Sequence, residues 1–231
     1  MVVLLTLASY LAGWLVGIPA LMPFLNAAGA WWMMVRELRA GRVTRAIAIM
    51  LVWAATMAVV ATVIAAAGWN VSGGRDLFLQ SDYREQMLEW VRTGVGPESQ
   101  PSVFIPRHAG YAAVFAMAAL ATGGLLGMPM GAMLMNSMGD YVGTMTGASA
   151  HPVASALLGW HPWAVVRIVG FVILGVVLSG PLVARVSGTR FDLRAHRGWI
   201  GAGAGLLALD ILLKAVLAPW WGRLLRGLAG W

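Results

Sequence analysis

From Ala46 to Ala67 the chain carries no charged side chain, over a length that crosses a bilayer as a helix. Hydrocarbon offers no water to a peptide N–H or C=O, so such a run has to close its hydrogen bonds on itself. Composition repeats the constraint along the whole sequence: 60% of the 231 residues are hydrophobic and 11% charged, and the mean hydropathy is +0.77. Water-soluble domains are typically less apolar, and about 25% of their residues are charged. The expected fold class is all-α, a polytopic integral membrane helical bundle in which 1–231 form a single membrane domain.

Six spans are expected, at about 2–26, 46–67, 109–135, 141–160, 162–184 and 199–220. The first contains Gly17, Pro19 and Pro23 and reads as one kinked helix, because proline removes a helical hydrogen bond. The formal net charge of +7 rests on sixteen basic residues, of which all but Lys214 are arginine. They do not point to nucleic acid: Arg36, Arg39, Arg42 and Arg45 fill one short loop, and Arg185, Arg190, Arg194 and Arg197 fill another. Arginine-rich loops beside apolar runs mark the cytoplasmic side. The segment 68–107 is nearly balanced in charge and is expected outside the cytoplasm. Within it, residues 82–93 start with Asp82 and Glu85 at capping-box spacing and place Tyr83, Met87, Trp90 and Val91 on one face. That reads as an amphipathic helix lying on the membrane surface. Both termini then fall outside the cytoplasm, and the expected location is a bacterial-type inner membrane. Cysteine is absent, which removes disulfides and thiolate metal sites.

Glycine recurs every fourth residue at Gly123, Gly127 and Gly131, and again at Gly139, Gly143 and Gly147, with Met135 between the two series. A four-residue step drifts by about 40° per step around a helix, so six glycines do not share one narrow stripe. The expectation is a glycine-zipper central hairpin turning at Asn136–Asp140, its small residues letting backbones approach closely.

Candidate chemistry is sparse. Asp210 and Lys214 lie four residues apart and are expected to pair on one face of the last span, at about the depth of Arg167. Charges at that depth cost at least ~2.5 kcal/mol each, so they find partners and often mark a pathway. The choice between a transport route and a structural ion pair stays open on these residues. His151, His161 and Asp140 form a possible relay or polar site, since histidine titrates near neutrality, although packing is the more frequent role of such histidines. Met128, Met130, Met133, Met135, Met138 and Met145 raise Cu(I), but methionine is also the usual filler of irregular gaps between helices. No ligand spacing, phosphate loop, nucleophile elbow or zinc-protease motif is present. No cofactor, metal or catalytic residue is expected.

The segment AALATGGLLGMPMGAMLMNSMGDYVG, followed by LLGWHPWAVVRIVGFVILG, covers roughly residues 118–176 and resembles the stage II sporulation protein M family. Gly123, Gly124, Leu126, Gly127, Pro129 and Asn136 fit the glycine-rich helix of that family. Further on, His161 precedes Pro162 and Val165 stands where the family has an acidic residue. The resemblance implies a non-catalytic membrane scaffold or assembly factor with partners in envelope remodelling. The expected function is therefore a scaffold or assembly subunit of a membrane complex, with a small-solute or ion-coupled transporter using Asp210, Lys214 and Arg167 as the alternative. Expected partners are the lipid bilayer and other membrane subunits or a second copy, with no nucleic acid.

Overall fold

The computed structural model describes the backbone of residues 1–70 and 78–231, and side chains outside 71–81; Arg75 and Asp76 of the polar segment lie outside the described residues. The described residues are all-helical, with no strand. Among the described residues, four helices are long and apolar enough to cross a membrane: α3 (Val43–Ala66), α5 (Pro101–Thr122), α8 (Pro162–Val186) and α9 (Arg197–Ala229). Between and beside them stand α1 (Val2–Val16), α2 (Met22–Arg39), α4 (Phe78–Thr93), α6 (Gly127–Gly147) and the short α7 (Pro152–Gly159).

The expected kinked helix at 2–26 is two antiparallel helices. Gly17 takes φ 65°, a left-handed conformation open to glycine, and its N–H caps α1 on the Gly13 carbonyl. A 3₁₀ turn, Pro19–Leu21, then reverses the chain into α2. Gly13 lies against Met22 and Gly29 against Leu5, so α1 runs back along α2 and its start stands beside the middle of α2, beyond Gly29 from the turn. This overturns the expectation that both chain ends lie away from the arginine loops. The start of α1 is at the basic end of the bundle, while Trp14 reaches the other end and donates to the Asn70 carbonyl beyond α3 (3.2 Å).

The two arginine loops share one end. Trp31 of α2 donates to the Gly123 carbonyl (2.9 Å), and Gly124 lies against Met34 of α2 and Ser179 of α8. At that end Glu37 is fully covered and gathers Arg42 Nε at 2.6 Å and Arg36 Nη2 at 3.0 Å, with Arg45 Nε at 3.6 Å. The Arg42 guanidinium foremost, then Arg36 and Arg45, hold its carboxyl below the ordinary 4.5.

The expected turn at Asn136–Asp140 is also overturned. Residues 127–147 form one helix, and the reversal falls earlier, at Gly123 (φ 59°) and Gly124 (φ 85°). Asn136 is mid-helix and buried because its amide is consumed there. It accepts from Tyr10 Oη (2.6 Å) and donates to Asn26 Oδ1 (3.0 Å), and Asn26 donates onward to Ser9 Oγ (2.9 Å). Trp53 Nε1 closes the string on the Asn26 carbonyl (3.0 Å). Four helices, α1, α2, α3 and α6, are thus tied at their centre by polar groups that hydrocarbon could not satisfy. The expected span at 141–160 is divided as well, between the last turns of α6 and α7.

Gly139 and Gly143 face Ala61, Thr62 and Ala65 of α3 so closely that an added Cβ would collide, and at Gly147 it would stand 2.9 Å from the Ala66 carbonyl. The glycines of the second series therefore set α6 directly against α3. The helix at 82–93 begins earlier, at Phe78, so Asp82 lies inside it and is not its cap. Its apolar face is the expected one, with Met87, Trp90 and Val91 buried. It faces Met138, Tyr141, Val142 and Leu225 in a second core, however, and does not lie flat on lipid.

Candidate functional site

Gly170 of α8 and Gly203 of α9 approach so closely that a Cβ added to either would stand 3.1 or 3.2 Å from the other's carbonyl oxygen, which brings these two helices to close range. Further from the arginine loops, about one turn along α8 and two along α9, the approach lets Arg167 reach Asp210. Nε donates to Oδ2 at 2.8 Å and Nη2 to Oδ1 at 2.9 Å, a two-pronged pairing that matches the planar guanidinium to the carboxylate. The side chains are 19% and 2% exposed.

Lys214, one turn beyond Asp210, does not pair with it. Its Nζ lies 2.7 Å from Glu98 Oε2 and 4.5 Å from the centre of the Phe104 ring. The ammonium meets that carboxylate by distance, off the hydrogen-bond angle. Glu98 comes from the 3₁₀ turn Pro97–Ser99 ahead of α5. A helix puts residues four apart on one face, but here each side chain finds a stronger partner sideways: a fork for the carboxylate, a carboxylate plus a ring face for the ammonium. The sequence offered one signal for Glu98. A lone lysine in an apolar helix needs an acid, and the proline-bounded connector carries this one within reach.

The other expected site residues do not join this cluster as a relay. His161 caps α8, is buried, stacks on Trp163 at 4.6 Å and meets Trp90 edge-on at 5.5 Å. Its Nε2 is 3.4 Å from Tyr141 Oη. His151 is exposed at the start of α7. Asp140 lies on α6 and pairs with Arg84 of α4 at 3.1 Å. Among the described residues no three His, Asp or Glu side chains group closely enough to hold a metal.

Beside Arg167 a crevice opens between α3, α5, α6 and α8. It is lined by Trp53, Phe115, Met135 and Phe171, with Arg167 and Tyr83 at one end. Nothing in the periodicity of the sequence announces it, because its walls are the same residue types that pack elsewhere. No family model, no curated protein and no solved structure matches the chain.

Proposed function

We propose that this protein is a non-catalytic membrane scaffold or assembly subunit. The observation that carries the reading is how the deep charges are used. Arg167 is locked to Asp210, and Lys214 to Glu98 and Phe104, so each cation fastens α9 to a different neighbour. A conducting route needs groups that exchange partners, and paired charges of this kind hold helices in place. In this reading α3, α5, α8 and α9 cross the membrane, α1, α2 and α6 run through the same depth, and the arginine loops face the cytoplasm. The resemblance to the sporulation protein M family points the same way.

Support also comes from α9, whose outward face exposes Leu212 and Val216 and leaves open space beside Gly201 and Gly205. Small residues there would let another membrane helix approach closely. The test is affinity purification from native membranes in mild detergent, with mass spectrometry of the stoichiometric proteins. A defined second membrane protein is the expected result. Recovery of this chain alone would overturn the reading and favour flux assays on Asp210→Asn.

A further inference from the structure

The crevice between α6 and α8 is a shaped space that the scaffold reading leaves unused. On α6 its lining runs from Gly127 to Met138, and on α8 from Ala164 to Val176. At 1.5 Å per residue these stretches are about 17 Å long, close to the ~15 Å depth of one leaflet's hydrocarbon. The space open to the centre of a water-sized sphere is about 100 Å³. Spread over about 17 Å, that is a tube of roughly 2.8 Å radius, using a 1.4 Å sphere. An alkyl chain needs about 2 Å, half the usual carbon–carbon contact, so the tube takes one chain and not two.

The walls are apolar and the polar end is specific. Arg167 spends Nε and one Nη2 proton on Asp210, which leaves three N–H groups of its fork. It is the one charged residue of the lining among the described residues. Tyr83 donates to Met138 Sδ at 3.2 Å, a weak acceptor, and its own oxygen can still accept. Arg167 and Lys214 already have their carboxylates, so a further full charge at this end would lack a counter-ion. An uncharged carbonyl is the head that fits, accepting from Arg167. We propose that this crevice binds the single long hydrocarbon chain of an uncharged, carbonyl-headed amphiphile, its carbonyl at Arg167 and its tail running toward Gly127 and Val176. The source is either an acyl ester of a bilayer lipid or a free single-chain carbonyl amphiphile.

Gly131 gives a clean handle, because a Cβ there would meet nothing nearer than Trp53 Cη2 at 4.0 Å. Gly131→Leu therefore starts its side chain in open space, extends it into the tube and replaces glycine by a good helix former. The test uses the full chain in nanodiscs and a monoacylglycerol carrying a diazirine in its acyl chain, photolysed and mapped by peptide mass spectrometry. The expected result is labelling of 127–138 and 164–176 that excess unlabelled monoacylglycerol removes. Gly131→Leu should lower it about tenfold, the effect of ~1.4 kcal/mol of lost binding. Labelling of Leu212 and Val216 on the outward face of α9 should stay unchanged. Label confined to outward faces, or lining label that does not compete, overturns the proposal, and the competition arm decides it in the unsubstituted chain even if the variant fails to fold. Mass spectrometry of a solvent extract from the same protein then separates the two sources.

Discussion

Asp210 is almost fully enclosed and accepts both hydrogen bonds from one guanidinium, so removing either partner strands a charge that is largely buried. Arg167→Met or Asp210→Leu alone should each cost about 3–5 kcal/mol, whereas the double variant, which removes both charges, should recover most of that loss. Thermal unfolding of the purified chain in one detergent, compared across the three variants, measures it. Equal destabilisation by all three would mean that the pair does more than compensate itself. Glu37 provides the pH dependence. Its carboxyl is held below 4.5 by Arg42 first, so its contribution is fully present above that value and is lost as pH falls through the folded-state value. Unfolding measured from pH 7 down to about pH 3 should show a loss in the parent chain that is smaller in Glu37→Gln, with the two curves converging in acid. At this scale the sequence revealed which residues are unusual but not whom they meet. Asp210, Lys214 and Arg167 stood out because charge in an apolar run is costly. Glu98 and Phe104 did not, because their significance lies in a fold that returns a loop to α9.

Among the elements, α6 shows most clearly what pattern can and cannot give. The glycine series marks a helix that packs closely, and Gly139, Gly143 and Gly147 do lie on α3. The same series put the turn in the wrong place. Asn136 and Asp140 look like turn residues in isolation, yet one closes a buried amide string and the other meets Arg84. Turn propensity gave way to tertiary hydrogen bonding, which no single-sequence window contains. Gly17 and the prolines behind it were legible as a disruption, but whether a disruption kinks a helix or reverses the chain depends on Ser9, Asn26 and Leu5 finding partners across it. A direct consequence concerns Gly143. Replacing it with leucine drives a side chain into the Thr62 carbonyl and Ala65 of α3, and overpacking of this kind costs about 1–3 kcal/mol or more. Gly131→Leu on the same helix should leave the melting temperature nearly unchanged, so the pair of melts separates close approach from simple helix propensity.

For the whole molecule, class was written in composition and chain path was not. Hydropathy and arginine placement identified a helical membrane protein with two basic loops, and the structure brings those loops to one end. The path differs because hydropathy records that a run is apolar, not whether it passes through once or folds back on itself. The reversal at Gly17 makes the topology testable in a chain that has no cysteine of its own. Single cysteines at Ser187 and at Val3 should react with a membrane-impermeant maleimide from the same side, and one at the exposed Val95 from the opposite side. Labelling of positions 3 and 187 from opposite sides would contradict the antiparallel α1–α2 pair. The central claim is that the deep charges build the scaffold and conduct nothing. Its most direct measurement is a side-by-side purification, from native membranes, of the parent chain and of the Arg167→Met, Asp210→Leu double variant, with quantitative mass spectrometry of what accompanies each. The account predicts one and the same stoichiometric membrane partner with both. A parent chain recovered without any partner, or a folded double variant that has lost it, would contradict the account.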